Sequence, residues 1–407
     1  MRRIIAIILV LGAAATGANT RAAGGKIVAE ANNAFAFDLY QRLNRSEGNL
    51  FFSPLSISSA LAMTYAGARG ETARQMARVL HFPGNTDLLH RGFQDLLIAM
   101  KKNRSDRDIE LTIANSLWAQ KDYTFLPDFL TLVTEHHDAA VENVDFKTDA
   151  EGARQRINAW VEKETNEKIK DLVPMNALNQ ATRLVLANAI YFMAAWQSKF
   201  HTANTREDDF WVDARASVKV PMMIQTDNLP YFEDDRIQVL TLPYLRSGRP
   251  ATLRFSLIVV LPKKRDGLGD VEKALRLSEI DGWLKNRRHR EVKVFLPRFR
   301  IESSFNLAEH LTAMGMEQAF AFPGADFSGM DGTHLLYISA VLHKAFVDVD
   351  EEGTEAAAAT AVVMLAGAAA PSEQPKVFRA DHPFLFLIRE EQSGTIFFMG
   401  RLCRPDR

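Results

Sequence analysis

The sequence predicts an α+β fold in one large unit, and three observations carry that expectation. Helical periodicity dominates the first half of the chain and strand patterning the second. The elements do not alternate as β-α-β, and no run of Pro, Gly or Ser divides them. Length alone would allow two or three domains at about 150 residues each. Of the 407 residues, 47% are hydrophobic, enough apolar surface to offset the entropy of ordering, which excludes a disordered chain. With 22 Gly and 15 Pro, a collagen-like or low-complexity chain is excluded. The 49 Lys and Arg against 50 Asp and Glu leave a formal charge of −1, so no nucleic-acid partner is expected.

The elements follow in order. Met1-Arg2-Arg3, an apolar stretch from Ile4 to Ala15 and small residues to Ala18 form the pattern of a secretory signal peptide. The stretch is shorter than the roughly 20 residues of a membrane span. Cleavage is expected after Ala18, or as late as Ala23. Removing residues 1–18 and their two arginines leaves 389 residues with a charge of −3. Residues 32–43 place Phe35, Leu39 and Leu43 at helical spacing. Ser53 and Pro54 then open a second helix as N-cap and first helical residue, which Gly67 and Gly70 end. Residues 109–118 alternate as a half-buried strand. A helix with a polar face of Glu162, Lys163, Glu167 and Lys170 is expected over 157–173. The continuous apolar run 184–192 reads as a strand covered on both faces. Further strands are expected at 255–261, 292–299, 335–349, 384–388 and 395–401.

No catalytic constellation is legible. There is no Gly-x-Ser-x-Gly elbow, no His-Glu-x-x-His pair and no phosphate-cradling glycine loop. Glu135-His136-His137-Asp138 clusters four possible metal ligands, but neighbours on a helix point about 100° apart, so they read as solvated polar side chains on the surface and no metal is expected. Cys403, the single cysteine, excludes an internal disulfide and reads as an inert residue at a strand end. The basic run Lys285–Arg290 reads as a solvated turn, with a polyanion as the weaker alternative. No cofactor is expected.

The informative stretch is 351–375, EEGTEAAAATAVVMLAGAAAPSEQP. Propensity alone makes it an alanine-rich helix capped by Thr354 and ended by Gly367. Context disputes that, because a long strand feeds it directly and small residues offer no face with which to dock. At period two, one face holds Thr354, Ala356, Ala358, Thr360, Val362 and Met364, with no charge and nothing large until its far end. The other holds Glu355, Ala357, Ala359, Ala361, Val363 and Leu365. Such a strip can slide between two strands already in place without burying an ion.

At these residues the chain resembles the serpin family. NLFFSPLSISSALAMTYAGARGET (49–72) is similar to the family's helix B, and LANAIYFMAAWQSKF (186–200) to its third central strand. HKAFVDVDEEGTEAAAAT (343–360) resembles the strand and hinge that feed its reactive loop. FRADHPFLFLIRE (378–390) with GTIFFMGRL (394–402) resembles its C-terminal signature. The resemblance implies a large mixed or antiparallel central sheet, additional sheets, about nine helices and an exposed reactive loop at 351–375. It also makes 19–407 a single domain, in place of two or three. An extracellular serine protease cuts the loop and becomes covalently bound, and the loop then inserts as a new central strand. About fifteen inserted residues at ~3.3 Å give a travel of roughly 50 Å, and the native state is metastable. A secreted monomer, periplasmic in a Gram-negative source, is implied; catalysis is not. A non-inhibitory carrier or chaperone is the alternative.

The resemblance also distributes roles. Gly353 lets the chain turn, and Thr354, Glu355, Ala356, Ala357, Ala358 and Ala359 form the hinge. Ser53, Ser56, Asn188 and His343 occupy the positions beneath the sheet centre where strands part, and Trp196 the point of first insertion. Family register places the scissile bond between Gly367 and Ala368, with Met364, Leu365 and Ala366 as alternatives. No Arg or Lys lies between Glu355 and Gln374, so elastase-, chymotrypsin- or subtilisin-like proteases are the expected targets.

Overall fold

The computed structural model describes residues 24–103, 109–245, 253–354 and 374–405. Helix α1 covers 24–43. It is followed by β1 (Leu50–Phe52), α2 (Pro54–Gly67), α3 (Gly70–Val79), α4 (Thr86–Asn103), β2 (Ile109–Gln120), α5 (Pro127–His137), β3 (Ala140–Val144), α6 (Ala150–Glu164) and β4 (Leu184–Ala195). Next come β5 (Arg206–Trp211), β6 (Ser217–Glu233), β7 (Ile237–Pro243), β8 (Phe255–Pro262), α7 (Leu268–Ala274), α8 (Leu277–Asn286), β9 (Arg288–Pro297), β10 (Phe299–Asn306) and α9 (Ala308–Ala313). The chain closes with α10 (Ser328–Asp331), β11 (Ile338–Val349), β12 (Gly353–Thr354), β13 (Lys376–Arg379), β14 (Phe384–Glu390) and β15 (Ile396–Leu402). The described residues thus hold ten α-helices, close to the nine expected.

Two sheets organise these elements. Six strands run in the order β10-β11-β12-β4-β2-β3, with β11 also paired directly to β4 below the two-residue β12. Nine form the second sheet, β1-β15-β14-β8-β7-β6-β9-β13 with β5 on β6. The mixed sheet matches the expected α+β class.

Burial explains the apolar run in β4. Leu184, Leu186, Ile190 and Phe192 face the main core, whereas Val185, Ala187, Ala189 and Tyr191 pack in a second cluster with Ile157 and Val161 of α6. Both faces are covered, so neither can be polar. Helix α2 starts as expected: the Ser53 hydroxyl accepts the Ser56 N–H at 3.1 Å and Pro54 opens the first turn. It is buried along most of its length between the sheets.

Several elements differ from expectation. The single strand expected over 292–299 is the end of β9 and the start of β10, parted at Arg298, and β11 begins at Ile338 rather than at residue 335. Strand β2, expected to be half-buried, is buried at most positions because both of its faces are covered. The helix expected over 157–173 ends at Glu164, because Asn166 and Glu167 take φ of +50° and +61° and turn the chain away. The following segment is held by Asn158, which donates to the Val173 carbonyl at 3.0 Å and accepts its N–H at 2.8 Å. Gly70, expected to end a helix, opens α3 instead.

Candidate functional site

The seam between β11 and β4 is the centre of interest. The two strands are parallel, with Leu342↔Ala187, His343↔Asn188 and Lys344↔Ala189 in register. At the top of the seam, β11 turns through 350–352 and returns as β12. There Thr354 pairs antiparallel with Val349 of β11 and with Ala194 of β4. The segment after β11 therefore already enters the sheet between two strands that pair directly further down.

The turn is built by Asp350, whose carboxylate accepts the N–H of Glu352 at 2.8 Å and of Gly353 at 3.1 Å. Gly353 closes this turn, and its carbonyl accepts the Asp350 N–H at 2.9 Å. Its backbone is extended, and a Cβ there would lie 2.0 Å from the Ala194 carbonyl oxygen and 2.7 Å from the Ala195 Cα. Glycine is required because β12 lies hard against β4.

Charged groups hold this corner. The Glu351 carboxylate, with only 3% of its side chain exposed, receives the Arg298 guanidinium at 2.6, 2.7 and 3.0 Å and the Thr205 hydroxyl. Burial would raise its pKa, but these hydrogen bonds outweigh burial and hold the carboxyl below its ordinary range. Lys199 pairs with Glu352 at 2.6 Å. Trp196 stacks on Tyr244 at 4.7 Å with ring planes 7° apart, and its indole donates to the Asp350 carbonyl at 2.8 Å. The Tyr244 hydroxyl and Thr354 Oγ1 are 2.7 Å apart, and burial pushes the Tyr244 pKa well up, so the hydroxyl stays protonated. Trp196 thus sits beside Thr354, the first residue of the strip.

Below, the four polar residues singled out in the sequence are brought together. His343 Nε2 accepts the Ser53 N–H at 3.1 Å, which leaves Nδ1 to donate to Asn188 Oδ1. Asn188 in turn donates to the Ser56 carbonyl at 3.1 Å, to the Ser56 hydroxyl and to Asn115 Oδ1. Ser53 Oγ donates to the Phe397 carbonyl at 2.6 Å. Burial pushes the His343 pKa down to about 3, consistent with a neutral ring whose Nε2 must accept. Sequence reasoning missed Asn115 of β2, whose amide donates to Ser59 Oγ at 3.3 Å, and it missed Tyr244 and Arg298. The signal for Asn115 was one amide on an otherwise apolar alternating face.

Glu355, Ala356–Ala359 and the scissile candidates Met364, Leu365, Ala366, Gly367 and Ala368 lie outside the described residues, as do residues 1–23. Of the sequence cluster at 135–138, Glu135 and Asp138 are exposed, but His137 is buried, contrary to a purely surface reading. Among the described residues no group of three or more His, Cys, Asp and Glu is arranged to hold a metal ion, and no helix is long and apolar enough to cross a membrane. The run Lys285–Arg290 ends α8 and begins β9 rather than forming only a turn; Arg287 is half-buried and donates to Thr241, and the rest is exposed. Cys403 is half-buried, and burial pushes its thiol pKa up.

The family model for Serpin (serine protease inhibitor) matches residues 30–405. The chain belongs to the serpin family. This serpin is 44% identical over 380 residues to an uncharacterized serpin-like protein of Thermococcus kodakarensis, a match covering 93% of this chain and 86% of that protein. It is 42% identical over 380 residues to a leukocyte elastase inhibitor of Xenopus tropicalis, covering 91% and 97%. Among solved structures, Serpin48 of the insect Tenebrio molitor superposes with a TM-score of 0.81 at 33% identity, over 93% of this chain and 98% of that one. The family is one of serine protease inhibitors.

Proposed function

We propose that this serpin is a secreted, monomeric, single-domain suicide inhibitor of serine proteases with apolar specificity, of the elastase, chymotrypsin or subtilisin type. The observation that carries the reading is β12, antiparallel to both of its neighbours at the head of a parallel seam. Parallel pairing is slightly weaker per residue than antiparallel. A strand continuing β12 downward would replace one parallel interface by two antiparallel ones, which favours insertion.

Continuing that register sets Thr360 between His343 and Asn188, and Met364 opposite Leu184 at the far end of β4. Residues 354, 356, 358, 360, 362 and 364 would face the core, as Thr354 does; these are the small, uncharged side chains of the strip. The His343–Asn188 hydrogen bond would break, and the Thr360 hydroxyl would arrive between the separated partners. A cut after any residue from Met364 to Gly367 leaves the severed end at or just past the bottom of the sheet.

The chemistry belongs to the protease. Its serine oxygen attacks the scissile carbonyl carbon, the peptide C–N bond breaks and the amine leaves with a proton. An ester then joins this chain to the enzyme. Insertion carries the ester-linked protease away before water completes hydrolysis. The likeness to an elastase inhibitor and the lack of Arg or Lys from Glu355 to Gln374 support apolar specificity.

The deciding experiment mixes the protein with an elastase and with a subtilisin and runs denaturing gels. A covalent adduct at the summed mass is expected. Clean loop cleavage without adduct by every protease tried would overturn the reading in favour of a non-inhibitory carrier. Sequencing the small C-terminal fragment then identifies the bond that was cut.

A further inference from the structure

Away from the insertion seam, α4 and α5 pack side by side and meet through histidines. His90 of α4 and His137, the last residue of α5, are 3% and 1% exposed. His90 Nδ1 and His137 Nε2 are hydrogen-bonded at 2.9 Å, with ring centroids 5.1 Å apart at 84°. The ring of His136 lies 6.3 Å from that of His90. His136 Nδ1 and His137 Nδ1 are buried with no hydrogen-bond partner. Other links across the seam include the Phe93 ring 5.6 Å from that of His137, Gln94 to the Glu135 carbonyl at 2.8 Å, and the exposed pair Lys101–Asp138 at 2.6 Å, the last worth little in water.

A hydrogen bond between two imidazoles uses one N–H and one lone pair, so it survives only while at least one ring is neutral. With both rings protonated, two N–H groups point at each other beside a third histidine. A proton added at His137 Nδ1 would also find no acceptor, and a buried unpaired charge is costly. Opposing charge is sparse. Asp87, one turn before His90, favours protonation of that ring, and burial outweighs it. Helix α4 otherwise carries Arg91, Asp95, Lys101 and Lys102, and α5 carries Asp128 and Glu135. Helix α2 brings no Asp, Glu, His, Lys or Arg, and α1 meets α4 at Gly92 through Gly24 and Val28. The carboxylate of β2, Glu110, is engaged by Asn166 at 2.9 Å.

The position of the seam gives it leverage. Helix α4 precedes β2, and α5 runs into β3 within three residues; these are the two outermost strands beyond β4. We propose that the His90–His136–His137 cluster makes the α4–α5 seam an acid-labile joint, so that mild acid parts the helices and loosens the β2–β3 side of the sheet. Burial, with His136 as the next cause, holds the His90 pKa down from 6.5 to about 4, and burial likewise holds His137 well below its ordinary value. Because these pKa values are depressed in the fold, the stability they represent is whole above about 6.5. It is lost as the pH falls through about 4. The inference is independent of the inhibitory reading.

Hydrogen–deuterium exchange on the full chain at pH 7.5 and pH 4.5, corrected for intrinsic rates, tests it. Segments 88–100 and 127–137 are expected to lose about tenfold or more in protection at pH 4.5, while 384–402 changes by less than about twofold. The double variant H90N/H137Q, which replaces the pair by neutral amides, should retain its protection in acid. Should the double variant fail to fold, H136N carries the test. Removing the third ring should shift the midpoint of seam opening to lower pH. Unchanged protection of the wild-type seam in acid, acid opening undiminished in H90N/H137Q, or an unmoved midpoint in H136N would each overturn the proposal.

Discussion

Thr354 is wholly buried, its hydroxyl on Tyr244, where the described end of the strip lies in the sheet. An arginine there would have to bury a guanidinium against the Trp196–Tyr244 stack or stay out of the seam, and staying out is the cheaper course. Thr354→Arg is therefore expected to lower the yield of covalent adduct by about tenfold or more and to raise the share of simple cleavage, read on the same gels. An unchanged yield would remove the insertion argument. His343 makes a second claim at this scale. Its pKa is depressed to about 3 in the fold, so its stabilisation is full above about 6.5 and is lost as the pH falls through about 3. The melting temperature of His343→Gln should consequently change less between pH 7 and pH 4 than that of the wild type. Parallel curves would show that the histidine does not contribute in that window.

Elements were legible in the sequence wherever one periodicity ran unopposed. Helix α2 was announced by Ser53 and Pro54, and β4 by its two-sided apolar run. The segment 165–173 was misread as helix because its polar residues keep helical spacing; what breaks it is backbone φ at Asn166 and Glu167, anchored from a distance by Asn158. The α1–α4 crossing was equally hidden. Gly92 permits it, since a Cβ there would lie 2.5 Å from the Gly24 carbonyl oxygen and 2.7 Å from Val28 Cγ2. Gly92→Ala is expected to cost about 1–3 kcal/mol through overpacking, whatever it gains in helix propensity. A denaturant melt checks this, and an unchanged midpoint would mean that the helices shift apart freely.

For the whole molecule, the arrangement describes a sheet one strand short of its most favourable pairing, kept so by the closed β11–β4 seam and the polar cluster beneath it. On the proposed reading, cutting the loop near Gly367 would free the strip to enter. Each inserted residue adds backbone hydrogen bonds worth roughly 1 kcal/mol apiece, so the cleaved protein is expected to melt tens of degrees above the uncut one. Equal melting temperatures before and after cleavage would mean that the strip stays out and would favour the carrier alternative.

The sequence by itself determined the α+β class and the family. Both are written in local order and in motifs. Only the tertiary structure decided that Asn115 and Ser59 extend the polar cluster, that Gly353 lies hard against β4, and that His90 meets His137. Those facts depend on register between segments far apart in the chain: His343 and Asn188 are 155 positions apart, and His90 and His137 are 47. A shift of one residue in β11 or β4 would turn His343 or Asn188 to the opposite face.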